Sequence, residues 1–380
     1  MKICAIICEY NPLHNGHLYQ LKEAKRLSGA DTVLCIMSGN FVQRGEAAVV
    51  DKFTRAKHAV LAGADAVIEL PTLFATSNAE LFAKGAISIL STIPSVKTLC
   101  FGAENADKLA FLLAGKYLND EPKEISDKIK QGVAGGMSYA KARAEAWAGF
   151  LPMDLLCSPN NILGLEYTRA ILKAEANIDI LPVQRMGGGY KENQLNEEFS
   201  SASAIRLAME SGEDFSNALP TFVKTDLPEK CENHLDVLEK YAVLAKSPKE
   251  IAKVCDCTEG LENAFKKAAL QNATFVETLT SARYTSSRIR RIALQNLLGI
   301  EETHIKEGLN APLYLRVLAI KKERTDVLSA LAESPLPLLS RAHDENVLTK
   351  TAKKSHEIDV FAEKIHALLY PNKIEKNIFI

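Results

Sequence analysis

The sequence predicts an α/β protein, with a doubly wound, Rossmann-like parallel sheet in its N-terminal part and an α-helical domain in its C-terminal part. Over the first 100 residues, short runs that are apolar on both faces alternate with helical segments of 10–15 residues. This alternation is typical of a parallel sheet covered on both sides by helices. From about Ser203 onward we find no convincing strand pattern, and amphipathic helical patterns with proline or glycine stops prevail.

The individual elements of the sheet follow from these apolar runs. The predicted strands are Lys2–Cys8, Thr32–Met37, Ala66–Leu70 and Val96–Phe101. The predicted helices between them are Gly16–Ser28, Asp51–Ala62 and Ser77–Leu90.

The middle of the chain leaves the sheet and returns to it. Residues 106–176 are predicted to be mostly helical, with a glycine-rich break at Gly132–Gly136. Asn177–Val183 is predicted to be a further strand, followed by a loop that extends to Ser200. We therefore expect an α/β domain at residues 1–205 and a helical domain at residues 206–380.

Composition limits the classes of partner. The 380 residues include 46 Lys and Arg against 47 Asp and Glu, so that the formal net charge is -1. A nucleic-acid site must therefore depend on a local basic cluster. The apolar stretch at the N-terminus is too short for the hydrophobic part of a signal peptide. No apolar window is as long as a membrane-spanning helix requires. We expect a soluble, cytoplasmic protein with no membrane partner.

Four of the eight cysteines, Cys4, Cys8, Cys35 and Cys100, lie in or beside the apolar runs and are expected to be small core residues. The others do not form a zinc-binding pattern, so we predict reduced thiols and no metal site.

A polar motif follows the first predicted strand directly. Asn11-Pro12 forms a turn, and His14-x-Gly16-His17 opens the first helix. The carboxyl edge of an open parallel sheet is where its ligands bind, and a helix N-terminus offers free N–H groups to an anion. Two histidines can donate hydrogen bonds to phosphate oxygens, while a glycine permits close approach of a nucleotide.

This motif resembles the nucleotide-binding motif of the nucleotidyltransferase superfamily, which includes adenylyltransferases and class I tRNA synthetases. The segment Ser200–Arg206 resembles a second motif of that superfamily, and it has Ser203 at a position where threonine is common. Its hydroxyls and its arginine, Arg206, are implied to hold the triphosphate.

Further segments resemble one family of this superfamily, the tRNA(Met) cytidine acetate ligases. These segments are Ile7–Gln20, Met37–Glu46, Val67–Pro71, Phe101–Glu104, Ser158–Tyr167 and Arg283–Arg291. The resemblance implies that ATP and acetate form acetyl-adenylate with release of pyrophosphate. The acetyl group then passes to N4 of the wobble cytidine of elongator tRNA(Met). Mg²⁺ is expected to accompany the triphosphate.

The resemblance also implies the roles of individual residues. His14 and His17 would stabilise the transition state at the α-phosphate, and Arg206 the leaving pyrophosphate. The predicted ATP-binding residues are Ile7, Cys8, Glu9, Tyr10, Asn11, Pro12, Leu13, His14, Asn15, Gly16, His17, Leu18, Tyr19, Gln20, Gly102, Asn161, Arg185 and Ser203.

The best candidate for RNA binding is the arginine-rich segment Ser281–Leu298, which contains no acidic residue. Arginines that contact phosphate and an aromatic ring that stacks on an unpaired base are typical of such sites. The predicted RNA-binding residues are Arg283, Tyr284, Arg288, Arg290 and Arg291.

Some alternatives stay open at this stage. The loop at Met37–Glu46 could be a moving lid or a rigid structural loop, and Lys52 and Arg55 are expected on a solvated helix face. Two other functions compete with the ligase: a small-molecule adenylyltransferase of cofactor biosynthesis, and a non-enzymatic RNA-binding protein with a relic nucleotide pocket. The helical extension disfavours the first, and the retention of His14, His17 and Arg206 disfavours the second.

Overall fold

A computed structural model describes residues 1–186, 195, 199–228, 234–311, 313–340, 344–370 and 377–380. Its strands are β1 (Ile3–Cys8), β2 (Thr32–Ser38), β3 (Phe41–Val42), β4 (Glu46–Ala47), β5 (Ala66–Leu70), β6 (Val96–Ala103), β7 (Asp179–Gln184), β8 (Leu315–Ile320) and β9 (Leu338–Leu339).

The helices of the first half lie between or after these strands in chain order. They are α1 (Asn15–Ser28), α2 (Lys52–Leu61), α3 (Thr72–Ala75), α4 (Ala79–Leu90), α5 (Lys108–Asn119), α6 (Lys123–Ala134), α7 (Tyr139–Trp147), α8 (Met153–Cys157) and α9 (Pro159–Lys173).

The helices of the second half follow β7. They are α10 (Ala202–Ser211), α11 (Thr221–Lys224), α12 (Leu235–Ala245), α13 (Pro248–Ile251), α14 (Leu261–Ala268), α15 (Phe275–Leu279), α16 (Ser286–Leu298), α17 (Glu302–Asn310), α18 (Thr325–Ala332) and α19 (Lys350–Leu369).

Seven strands form one sheet in the order β7-β6-β1-β2-β5-β8-β9. The five strands from β7 to β5 are parallel, and β8 pairs with β5 in the antiparallel direction. The predicted doubly wound α/β fold with a helical C-terminal part is confirmed. The hairpin of β3 and β4 stands apart from this sheet.

The two faces of the sheet build two separate cores. On β1, Ile3, Ala5 and Ile7 pack toward one layer of helices, while Cys4, Ile6 and Cys8 pack toward the other. This alternation explains why the strand is apolar at every position, since each face is covered. Cys4, Cys8, Cys35 and Cys100 are all buried in the second core, as the sequence predicted. A third core joins helices of the C-terminal half, between α12 and α16.

One expectation about the C-terminal half is wrong. The sequence predicted no strand after Ser203, but Leu315–Ile320 forms β8 inside the main sheet. The segment LRVLAI is buried on both faces except at Arg316, so it lacks the alternation of polar and apolar residues that would have marked it as a strand. The domain boundary at residues 205 and 206 stays a prediction.

The expectation for Lys52 and Arg55 is also wrong, because both side chains are buried. The Lys52 ammonium lies 2.5 Å from Glu69 and 2.8 Å from Glu363 on α19. Arg55 donates hydrogen bonds to the carbonyls of Glu9 and Ser38, and so joins the carboxyl ends of β1 and β2. A helix can carry charge on a buried face when ion pairs or hydrogen bonds satisfy that charge.

Within the described residues, we find no helix that combines the length and the apolar character needed to cross a membrane.

Candidate active site

A cavity of about 530 Å³ opens at the carboxyl ends of β1 and β6. The chain runs from β1 to β2 on one side, while β6 lies on the other side of β1. This is the point at which the strand order reverses, where open α/β sheets bind their ligands. The His-x-Gly-His motif, the Ser200–Arg206 motif and part of the arginine-rich segment all contribute to its wall.

The two histidines cap helix α1. Nδ1 of His14 accepts the N–H of Gly16 at 3.1 Å, and Nδ1 of His17 accepts the N–H of His14 at 3.3 Å. Since each Nδ1 is an acceptor, the remaining proton of each neutral ring lies on Nε2. Both side chains line the cavity, so they offer it hydrogen-bond donors.

The surroundings keep both rings neutral. Burial, and then the positive charge of Arg185, lower the pKa of His14 to about 3. Burial, His14 and Arg185 lower the pKa of His17 well below its ordinary value. The rings therefore act on an anion as dipolar donors, without adding a formal charge at neutral pH.

The Ser200–Arg206 motif reaches the same cavity from α10. The Ser201 hydroxyl caps this helix by accepting the N–H of Ala204. Arg206 donates to the carbonyl of Asn11 at 2.8 Å, within the turn that precedes His14, and lies 3.2 Å from Glu46. The Ser203 hydroxyl accepts from Arg44 at 3.3 Å. The two motifs predicted to act together are thus in contact.

The opposite wall contains Gly102 and Arg185. A Cβ atom at Gly102 would lie 3.3 Å from Cγ of Arg185 and 4.0 Å from Nε2 of Gln20, so the absence of a side chain keeps this wall open. Arg185 is partly exposed to the cavity, and its nearest acid is Glu104 at 3.9 Å. Arg185 and Arg206 therefore both bring positive charge to the wall of the cavity that contains the histidines.

Asn161 does not line the cavity. It is fully buried, and its Oδ1 accepts the N–H of Glu104 at 2.9 Å while its Nδ2 donates to the carbonyl of Asp154. Its neighbours on α9, Asn160 and Ile162, do line the cavity. In this structure Asn161 orders the loop after β6, and its contact with ATP stays a prediction.

The segment Ile7–Gln20 contributes to the cavity unevenly. Its lining residues are Ile7, Cys8, Glu9, Tyr10, Asn11, His14, His17 and Gln20. Its other members are Pro12, Leu13, Asn15, Gly16, Leu18 and Tyr19, which lie outside the lining and form the turn and helix that carry the histidines. Asn11 holds this turn, because its Oδ1 accepts the N–H of Val49 at 2.8 Å.

The five predicted RNA-binding residues fall into two groups. Arg290 and Arg291, on the first turns of α16, line the cavity. Arg283 pairs with Glu259 at 2.6 Å, and Arg288 donates to the carbonyl of Asp256 at 2.8 Å. The Tyr284 ring lies 5.1 Å from the Arg288 guanidinium, a cation–π distance. The arginine-rich segment therefore reaches the cavity wall through Arg290 and Arg291, while Arg283, Tyr284 and Arg288 lie outside the lining.

The β3–β4 hairpin joins this segment to the motifs. Glu46 lies 3.2 Å from Arg206 through one carboxylate oxygen and 3.1 Å from Arg290 through the other. A Cβ at Gly45 would lie 2.6 Å from the backbone nitrogen of Arg291. Gln43 donates its N–H to Glu9 at 2.7 Å. These contacts pack the hairpin against α10, α16 and the end of β1, and the moving lid and the rigid loop both stay predictions.

Glu46 was predicted only as one of the polar side chains of the Met37–Glu46 loop, and its ion pairs with Arg206 and Arg290 were not foreseen. Its only signal in the sequence was its place within the Met37–Glu46 segment that resembles the ligase family.

The described residues do not make a metal site by themselves. No group of three or more His, Cys, Asp and Glu side chains is suitably arranged within the described part of the chain. The carboxylates that line the cavity are Glu9 and Glu46, and the two oxygens of Glu46 face two arginines.

Comparisons with known proteins agree with this geometry. A family model described as HIGH Nucleotidyl Transferase matches residues 1–378. The chain is 34% identical to the tRNA(Met) cytidine acetate ligase of Acetivibrio thermocellus, covering 98% of this chain and 96% of that protein. It is 36% identical to the tRNA(Met) cytidine acetate ligase of a Thermoanaerobacter species, with the same coverage.

Solved structures agree as well. The crystal structure of Thermotoga maritima TmcAL in its apo form matches with a TM-score of 0.90 at 30% identity, over 98% of this chain and 96% of that chain. A second structure of Thermotoga maritima TmcAL, bound with alpha-thio ATP, matches with a TM-score of 0.88 at 30% identity, over 98% and 95%.

Proposed function

The chain belongs to the HIGH nucleotidyl transferase family and, within it, to the tRNA(Met) cytidine acetate ligases, and on this premise we propose that it is an ATP-dependent acetate ligase acting on tRNA. It activates acetate as acetyl-adenylate, with release of pyrophosphate. It then transfers the acetyl group to N4 of the wobble cytidine of elongator tRNA(Met). We place this reaction in the cytoplasm.

One observation carries the proposal. The neutral histidines of the His-x-Gly-His motif and Arg206 of the second motif meet in one cavity whose wall also contains Arg290 and Arg291. A nucleotide site alone needs only the first three residues. The added arginines are what an enzyme needs if its second substrate is a nucleic acid.

The first half-reaction is an attack of an acetate oxygen on the α-phosphate. Negative charge builds on the phosphate oxygens during this displacement, and preorganised N–H donors stabilise such charge. The Nε2–H groups of His14 and His17 supply these donors. Arg206, and Arg185 from the opposite wall, attract the triphosphate and stabilise the leaving pyrophosphate.

The second half-reaction needs the anticodon loop of the tRNA at the same cavity. Arg283 and Arg288 lie beside Glu259 and Asp256, outside the cavity, while Arg290 and Arg291 reach its wall. Phosphate contacts by these arginines would fix the position of the tRNA, and an unpaired base could enter the cavity. We propose that residues 206–380 form the tRNA-binding part.

Mg²⁺ is proposed to arrive with ATP. The described side chains do not fit a protein-built Mg²⁺ site, since only Glu9 and Glu46 bring carboxylates to the cavity. Mg²⁺ commonly keeps several waters and binds substrate phosphates, so the triphosphate would supply its ligands.

Acetate-dependent exchange of labelled pyrophosphate into ATP tests the proposal directly. We expect exchange that requires acetate, and loss of the bound adenylate when unmodified elongator tRNA(Met) is added. Exchange without acetate but with mononucleotide or phosphopantetheine acceptors would instead support a cofactor adenylyltransferase. A chain that binds tRNA without any exchange would be an RNA-binding protein with a relic pocket.

A further inference from the structure

We propose that Glu9 is the general base of the acetyl-transfer step, a role that rests on the proposed function. Glu9 follows the last residue of β1 and lines the same cavity as the two histidines.

The transfer step produces a proton that the activation step does not. Acetate is already an anion when it attacks the α-phosphate, so activation needs no base. In transfer, the lone pair of the cytidine N4 amine forms a bond with the acetyl carbonyl carbon. The bond between that carbon and the phosphate oxygen of AMP then breaks, and its electron pair leaves with AMP. The N4 nitrogen must lose one proton to become an amide nitrogen.

The histidines cannot accept this proton in the arrangement observed. A neutral imidazole has one lone pair in its ring plane, and here His14 and His17 each use that lone pair, on Nδ1, to accept a backbone N–H. Accepting a proton would break the cap of α1 and place a second positive charge against Arg185.

Among the described residues that line the cavity, the other carboxylate is also occupied. The two oxygens of Glu46 face Arg206 and Arg290 at 3.2 and 3.1 Å. Glu9 uses only Oε1, which accepts the N–H of Gln43 at 2.7 Å. Its Oε2 has no hydrogen-bond partner within the described ranges, so it is the carboxylate oxygen able to take a proton.

The charge environment suits this task. Burial raises the pKa of Glu9, while the Gln43 N–H and the guanidinium groups of Arg206, Arg44 and Arg55 act in the opposite direction. Tyr167, on α9, lines the same cavity, and it is neutral because burial, and then the charge of Glu9, raises its pKa well above the ordinary value. A carboxylate with a raised pKa is a stronger base than an ordinary carboxylate.

Two measurements on the Glu9→Gln variant test the proposal. One is acetate-dependent pyrophosphate exchange, and the other is a single turnover in which acetyl-adenylate is mixed with unmodified elongator tRNA(Met). Glutamine keeps the oxygen that accepts from Gln43 but cannot accept a proton. We expect the transfer rate to fall by about 10²–10⁴-fold more than the exchange rate. The wild-type transfer rate should also decrease as the pH falls through the pKa of Glu9, and the variant should lose this dependence.

Glu46→Gln is the matched control, because it makes the same chemical change at the other carboxylate of the wall. It should change exchange and transfer by similar factors, since Glu46 contacts the arginines that serve both steps. Glu9→Asp keeps a carboxylate and should restore part of the transfer rate.

The proposal is overturned if Glu9→Gln transfers acetyl at the wild-type rate, in which case water or the leaving phosphate takes the proton. It is equally overturned if exchange and transfer fall by the same factor, because Glu9 would then serve ATP binding alone. Failure of the proposed function is separate: the unaltered chain would show no acetate-dependent exchange.

Discussion

The imidazole rings of His14 and His17 lie one above the other, with their centroids 3.6 Å apart. Two imidazolium ions could not occupy this arrangement without strong repulsion, so the stack excludes two charged rings, and burial keeps both rings neutral. Each ring is fixed by a bond from a backbone N–H to Nδ1. The helix cap and the anion-binding donors are therefore the same two side chains, which links the local folding of α1 to the chemistry of the site.

Loss of His17 should therefore affect acetate activation and spare tRNA binding. We expect His17→Ala to lower acetate-dependent pyrophosphate exchange by about 10²–10³-fold, the typical effect of removing one preorganised donor. The dissociation constant for tRNA, measured by filter binding, should change by less than about twofold.

His304→Ala is a suitable control for the lost cap. Nδ1 of His304 accepts the N–H of Glu301 at 3.1 Å, the same cap that His17 makes, but on α17 and outside the cavity lining. It should leave exchange unchanged. If both variants lost exchange equally, capping and not phosphate binding would explain the effect.

The neutral state of His14 also makes stability depend on pH. Its pKa is about 3 in the folded protein, below the ordinary value of 6.5, so the unfolded chain binds a proton that the folded chain does not. The contribution of His14 is thus present above pH 6.5 and is lost as the pH falls toward 3.

We expect the His14→Gln variant, without nucleotide, to lose less stability than the wild-type chain on acidification. Relative to the variant, the wild-type chain should lose about 1.4 kcal/mol of unfolding free energy for each pH unit below about pH 6. Urea denaturation at pH 5, 6 and 7 would measure it, and parallel curves for the two proteins would contradict the neutral assignment.

Gly45 tests whether the β3–β4 hairpin must pack against α16. Gly45 has a φ of +76°, and an added Cβ would lie 2.6 Å from the backbone nitrogen of Arg291. Gly212 has a φ of +75° but nothing within 4 Å of its Cβ position, so it is a matched control.

Gly212→Ala should cost about 1–2 kcal/mol, the strain of a left-handed backbone. Gly45→Ala should cost about 1–3 kcal/mol more because of the backbone overlap, and should lower exchange activity by displacing Glu46. Thermal denaturation would compare them. Equal losses of stability would mean that the hairpin moves freely away from α16.

The strands and the position of the His-x-Gly-His motif could be predicted from local sequence, because burial on both faces makes continuous apolar runs. The same property kept β8 from being predicted, because its nearly uniform burial leaves no alternation of polar and apolar residues in a segment that lies between helices. The bridge from Arg206 through Glu46 to Arg290 joins three distant segments. Spacing along the chain carries no information about such a bridge, and only the resemblance drew attention to the Met37–Glu46 segment.

We expect substitutions of Arg283 and Arg288, two residues of the arginine-rich segment, to differ in their effect on stability. Arg283 is 40% exposed and paired with Glu259, and an exposed pair contributes little to stability. Arg283→Ala should keep the melting temperature while it weakens tRNA binding and lowers the salt slope of binding by about 1.

Arg288 donates to the carbonyl of Asp256 and to the hydroxyl of Thr258 at 2.9 Å. Arg288→Ala should therefore destabilise the fold by about 1–3 kcal/mol in addition to any effect on tRNA. Filter binding across salt concentrations, together with thermal denaturation, separates the two effects. An unchanged salt slope in Arg283→Ala would remove that residue from the RNA-binding surface.

The buried ion pairs of Lys52 join the two halves of the chain. Lys52 contacts Glu69 on β5 and Glu363 on α19, and Arg316 on β8 lies 3.2 and 2.7 Å from the same two carboxylates. Lys52→Met removes one charge and leaves two buried carboxylates to share a single arginine. Breaking a buried pair in this way costs about 3–5 kcal/mol, because the remaining charge stays desolvated.

Lys57→Met, on the exposed side of the same helix, is the control. Lys57 lies 3.5 Å from Asp226 and is 45% exposed, so its loss should cost less than about 1 kcal/mol. Guanidinium denaturation of both variants gives the comparison, and similar midpoints would show that Glu69 and Glu363 are protonated or hydrated when Lys52 is absent. The larger loss expected for Lys52→Met would show that α2, β5, β8 and α19 are held together by charge as well as by apolar packing.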